Sequence, residues 1–269
     1  MRQLRGEARK GLTPMTAAMI VAAAVLAALL QFNSAGNGPA PSLVDTTGAF
    51  QIALLQHATL LGFVVTGIIA GQMTGAEMSD SSIMVTMTAE PRRLRLFVIK
   101  TVATSLIAAL SVAVMGALLA ATGQLMGLTG VSFADDQGTA ISNVAETATR
   151  LLLVLAFLSA VTTTLAAWSG STITPAMVTA GTFIMGLMLS GVDNVAADPT
   201  IRLAEFTPYM WVTRWMQPDF GRFVDFIGNA TTPIHIQRSA LILLACIMAG
   251  TIVGRRLIDN AVRNPKGNS

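Results

Sequence analysis

Long apolar runs alternate with short polar connectors along this chain. Runs with almost no charge fall at residues 15–31, 52–73, 97–123, 150–168, 173–191 and 236–254. Each is close to the roughly 17–25 residues that cross a hydrocarbon core about 30 Å thick. A helix satisfies its own backbone hydrogen bonds in lipid, so the pattern predicts six transmembrane helices in a single domain spanning the whole chain. The fourth and fifth runs are nearly fused. Residues 169–174, followed by Pro175, read as a tight hairpin, because proline's fixed φ suits the first turn of the next helix.

Composition agrees with a membrane protein: 53% of the residues are hydrophobic and 12% charged, against about 25% charged in a soluble domain. The placement of the bases then sets an orientation. Arg2, Arg5, Arg9 and Lys10 precede the first run. Arg92, Arg93, Arg95 and Lys100 lie between the second and third, and Arg255, Arg256, Arg263 and Lys266 follow the last. The opposite loops carry Asp45, Asp135, Asp136 and Glu146, with no base before Arg150. Basic residues stay cytoplasmic, so both termini and the 74–96 loop are expected inside a cell membrane. The net charge of +3 is too small and too dispersed to suggest nucleic-acid binding.

Three regions carry alternatives. Residues 1–14 read as a basic interfacial segment ahead of a retained span, with a cleaved signal peptide as the other reading. Gly67, Gly71 and Gly75 repeat every fourth residue, a spacing that lets helices approach closely, either within the bundle or at a dimer seam. Residues 192–235 form a long acidic and aromatic segment, expected outside with short interfacial helices. Tyr209, Trp211 and Trp215 there are candidates for an external gate or for an ordinary aromatic belt.

Several chemistries are excluded. None of the three lysines, Lys10, Lys100 and Lys266, follows a glycine, so there is no phosphate-binding loop for ATP. His57 and His235 are far apart and form no H-E-x-x-H zinc motif. No G-x-S-x-G elbow occurs. Ser159, Thr162, Thr163 and Thr164 lie within a span without a base beside them, so they are read as backbone-bonding or packing residues. No Asp or Glu falls in the middle of a span, as an ion-coupled carrier would need. No catalytic, cofactor-binding or metal-binding residue is assigned, and the chain is not expected to be an enzyme.

The connector after the second run gathers three acids and four bases. Its sequence is GAEMSDSSIMVTMTAEPRRLRLFVIKTV, residues 75–102. Asp80, Ser81 and Ser82 are suited to cap a short helix toward Thr88, and Pro91 ends or redirects it. Glu77, Thr86, Pro91, Arg92, Arg93 and Lys100 resemble the loop after the second span in ABC-2 type transporter permeases, as written in actinobacterial members. Met78, Ser81 and Val85 depart from that pattern. The matching stretch covers about a tenth of the chain.

The resemblance implies an exporter in which two permeases work with two cytoplasmic ATPase subunits. ATP and magnesium would sit on the partner, and a coupling helix in the 74–96 loop would dock on it. Glu77, Asp80, Ser81, Thr86, Pro91, Arg92, Arg93 and Lys100 are then the expected coupling residues. The substrate would be a lipophilic drug, a peptide or a lipid-like molecule. A second reading is a non-transporting anchor or regulatory subunit. For Arg95 and Lys100 a plainer role competes with coupling, that of inside anchors touching anionic lipid.

Overall fold

A computed structural model describes residues 62–80, 82, 83, 85, 86, 92–125, 137–195, 206–216 and 233–263, with Gly6, Thr13, Pro14, Ala17, Ala18 and Val21 from the N-terminal region. Most of the first apolar run, residues 52–61 of the second, Ser81, Pro91, and most of the 192–235 segment lie outside the described residues. Among those described, the chain is helical apart from its turns, and no strand occurs. Helix α1 covers residues 62–79. It is followed by α2 (Arg93–Leu125), α3 (Gln137–Ser169), α4 (Thr174–Val195), α5 (Pro208–Met216) and α6 (Pro233–Arg263).

Three of these helices contain a segment long and apolar enough to cross a membrane: Arg93–Val114, Ala148–Ser169 and Gln237–Asn260. Their lipid-compatible faces follow from helical periodicity. Val98, Val102, Leu106, Leu110 and Val114 recur every fourth residue on α2 and are all exposed. Leu241, Leu244, Met248 and Ile252, three or four residues apart on α6, are exposed as well. Such a stripe is costly in water and comfortable against acyl chains.

Helix α3 is the centre of the bundle, in contact with α1, α2, α4, α5 and α6. One core joins Phe63 of α1, Val154, Phe157 and Leu158 of α3, Phe183 of α4 and Leu243 of α6. A second, at the other end, joins Met78, Ile83, Leu96, Phe97, Ala167 and Ile258. Small hydroxyls are accommodated by bonding backward: Ser111, Thr162, Thr164, Thr179 and Thr251 each donate to the carbonyl four residues earlier at 2.7–2.8 Å. Thr164 also donates to the Gly250 carbonyl at 3.0 Å, tying α3 to α6.

The turn between α3 and α4 is built as its sequence suggests. Gly170 takes a φ of 57°, the left-handed conformation that ends a helix without a Cβ penalty. The Ser171 hydroxyl then accepts from the N–H groups of Ile173 and Thr174, both at 3.2 Å, and α4 begins with Pro175 in its first turn.

Candidate functional site

The site lies where α1 ends, at the mouth of the charged connector. Past Met73, where the second apolar run ends, α1 continues to Ser79, through a π-helical turn at Gly71–Gly75 in which the Ala76 N–H bonds the Gly71 carbonyl five residues back. A π turn holds one residue more than an α turn and offsets the local ladder of backbone bonds. The segment reaches its neighbours unusually closely. A Cβ on Gly71 would collide with the Thr172 carbonyl oxygen, and one on Gly75 with that of Ser171. A Cβ on Gly67 would stand 2.7 Å from the Ala176 Cα. The glycine repeat thus packs against the chain's own α3–α4 turn and the start of α4.

The wide turn and the extra helical turn after it place two ionic side chains together. Lys100 Nζ lies 2.9 Å from Glu77 Oε2 and donates to the Met73 carbonyl at 3.1 Å. The Thr86 hydroxyl, from the connector, donates to the same Glu77 oxygen at 3.2 Å. The Thr104 hydroxyl reaches the Met73 sulfur at 3.8 Å. The Lys100 side chain is 0% exposed and that of Glu77 8%. Lys100 is thus not a lipid anchor. Its ammonium is held inside the protein by a carboxylate and a backbone carbonyl, the partners a buried cation requires.

The other expected coupling residues distribute around this node. Asp80 is exposed just beyond it. The N–H groups of Val85 and Thr86 bond the Ser82 carbonyl at 3.0 and 3.2 Å, so a helical turn forms where a capped helix was expected. Arg93 pairs with Asp259 near the end of α6. Arg92 and Arg95 are exposed. Ser81 and Pro91 lie outside the described residues. Thr13 of the N-terminal region donates to Gln72 Oε1 at 3.2 Å, so that region also touches the π turn.

No family model matches the chain, and no curated protein matches it.

The three aromatic residues named for a gate lie at the opposite end, on α5. This helix does not rest on the surface of the bundle. Tyr209, Met210, Val212 and Met216 are buried in the core with Phe63 and Phe183. The Tyr209 ring meets Phe183 edge-on at 5.1 Å, and Phe183 in turn meets Phe63 at 5.7 Å. Trp211 and Trp215 are half-buried. Trp215 makes a reciprocal contact with α3: its Nε1 donates to the Arg150 carbonyl at 3.0 Å, and Arg150 Nη1 donates to the Trp215 carbonyl at 3.1 Å. The Arg150 guanidinium also lies over the indole, 5.4 Å from the ring centre.

Arg150, Asp259 and the Met73 carbonyl were not singled out from sequence. Arg150 had a usable signal, as a base opening a span after a connector whose charged residues are otherwise all acidic. A backbone carbonyl used as a ligand has none. Among the described residues no group of His, Cys, Asp and Glu gathers as metal ligands would.

Proposed function

We propose that this protein is the membrane permease subunit of an ATP-driven ABC exporter of the ABC-2 type, in a cell membrane. It moves a lipophilic drug, peptide or lipid-like substrate outward, energised by a separate cytoplasmic ATPase. The observation that carries this reading is the junction of Glu77, Thr86 and Lys100. These are three of the positions on which the resemblance to such permeases rests. They come from a helix, a connector and the next helix, and they meet in one buried node. The six-span topology with both termini inside, and pairing with a second permease, belong to the same proposal. The lack of a phosphate loop in the sequence accords with an energy source on a partner.

The geometry supplies a route for force. A partner pressing on the connector moves Thr86, hence Glu77, hence Lys100 and α2. The π turn sets where α1 yields. Losing its extra residue turns the helix beyond by about 100° and shifts it by about 1.5 Å. Before Gly71 the core around Phe63 holds α1; beyond it, Glu77 is tied to the connector through Thr86 and to α2 through Lys100.

Reconstitution tests the proposal. The purified chain turns over no ATP, and nucleotide-dependent export appears on adding a cognate ATPase subunit. ATP turnover by the rigorously purified chain alone, or export without any ATPase, would falsify it.

A further inference from the structure

We infer that the seam between α2 and α3 holds a bound water molecule on the hydroxyls of Ser159, Thr163 and Thr101. These three hydroxyl oxygens are buried and find no hydrogen-bond partner among the described residues. Ser159 and Thr163 are 0% exposed. A fourth hydroxyl of this kind, that of Thr74, belongs to the π turn of α1. The other small hydroxyls show what each of them could have done. Ser111, Thr162, Thr164, Thr179 and Thr251 all donate to the carbonyl four residues earlier. A helical serine or threonine that forgoes that bond takes a rotamer that turns its hydroxyl away from its own backbone. Burying a hydroxyl without a partner is costly, so three of them in one seam call for a shared one.

Helical geometry brings the three together. Ser159, Thr163 and Ala167 stand at i, i+4 and i+8, one row along α3. Ala167 belongs to the same core as Leu96 and Phe97, so this row is turned toward α2. The sides of α3 flanking the row are taken by other helices: Gly62 of α1 meets Leu155 and Leu158, and Gly250 of α6 meets Ala160 and Thr164. The start of α2 thus lies beside the end of α3, and the two helices run in opposite directions. One turn along α2 from Phe97 is Thr101. One turn back along α3 from Ala167 is Thr163. The two come to the same level, with Ser159 a turn beyond.

The chemistry selects the ligand. Side chains four apart on a helix have Cβ atoms about 5–6 Å apart, roughly twice a hydrogen-bond length, so hydroxyls so placed are bridged by one small molecule and not by each other. Hydroxyls both donate and accept, which is what water needs from its partners. A buried water is held by roughly two to four such groups, whereas an apolar gap stays dry. The ionic neighbour in the chain, Lys100, is already paired with Glu77, so the seam offers neutral hydroxyls and selects no ion. This inference does not rest on the transport reading.

The test is water-edited solid-state NMR of the full chain in phosphatidylcholine bilayers, with carbon-13 threonine and with T163V, T101V and T66V to assign the signals. Magnetisation passes from water protons to nearby carbons. At short mixing times the Thr163 and Thr101 Cβ signals should build up several-fold faster than that of Thr66. Thr66 is equally buried, at 0% exposed, but its hydroxyl donates to the Gly62 carbonyl, so burial alone predicts equal rates. Thermal unfolding in a mild detergent supplies a second readout. S159A and T163V nearly preserve the packing, and each should lower the midpoint by about 2–4 °C, the loss of one net hydrogen bond. S159A/T163V should fall no further than the larger single change, because either substitution releases the same water. Build-up at Thr163 no faster than at Thr66 overturns the inference. So does a T163V midpoint at or above the parent's, the sign of a hydroxyl that was dry. An additive loss in S159A/T163V overturns it as well, since two separate bonds and not one shared water would then be at stake.

Discussion

Breaking the Glu77–Lys100 pair from one side should be far worse than removing both charges. In Lys100→Met the side chain keeps much of its length and loses its charge. Glu77, 8% exposed, is then left as a buried carboxylate with its cation gone. Removing one partner of a buried pair typically costs about 3–5 kcal/mol. Glu77→Gln strands Lys100 in the same way, with the Met73 carbonyl still accepting from its ammonium but no counter-charge. The double variant Glu77→Gln/Lys100→Met leaves no charge to strand, and its glutamine can still accept from Thr86. Exchanging a whole buried pair for neutral groups is often neutral, and at times stabilising by about 1–4 kcal/mol.

The assay is thermal unfolding of the purified chain in detergent, followed by fluorescence or by loss of the monodisperse peak. For a chain of this size about 1 kcal/mol moves the midpoint by about 2–4 °C. Each single variant should therefore fall by on the order of 10 °C, and the double variant should recover most of that loss. Export at matched membrane levels separates stability from coupling. Under the proposed function, the double variant should fold yet export poorly, because the connector has lost its charged link to α2. If Lys100→Met melts with the parent, or if the double variant falls by the sum of the singles, the two side chains are not a coupled buried pair and the reasoning fails.

Two further outcomes follow from the packing. Gly71→Ala and Gly75→Ala drive a methyl into backbone carbonyls that cannot rotate away, and each should cost about 1–3 kcal/mol or prevent folding, whereas Gly181→Ala, with open space at its Cβ, should melt with the parent. Trp215→Phe removes the Nε1 donor to the Arg150 carbonyl and should cost about 0.5–1.5 kcal/mol, with hydrogen exchange rising across Pro208–Met216 before it rises in α3; unchanged exchange there would show that the bond does not hold α5 down.

Much of the fold could be read from the chain because lipid leaves few choices. Long uncharged runs such as those in α2, α3 and α6 have to be helices, and the small Gly170 and Ser171 before Pro175 have to turn. The site was only half legible, for three reasons. A π turn is a one-residue insertion in a backbone ladder, and GQMTG reads like any other small-residue stretch of a helix. Lys100 opens an apolar run, the usual place for an anchor, and only a carboxylate 23 positions earlier takes it out of the lipid. Tyr209 and Trp215 are the residue types of a membrane belt and equally of a core, so composition could not say that α5 tucks inward.

The buried pair itself asks why a membrane protein would keep it. Leucine and methionine at these positions would fill the same space with no desolvation cost, so stability does not explain two opposite charges. An apolar contact is non-directional and has no alternative partner to move to. An ion pair is different: each member is held only while the other is within reach, and each is stable elsewhere if it finds water or another charge. Glu77 is already shared with Thr86 of the connector, and Lys100 is already shared with a carbonyl of the π turn. Both therefore have one contact on the element expected to move and one on the element expected to respond. A joint of this kind has two settings, which is what coupling requires and what close packing alone does not provide. Under the proposed function, the charges at the end of α1 persist because they can be parted, and Glu77→Gln/Lys100→Met is the variant in which the fold survives and that second setting is lost.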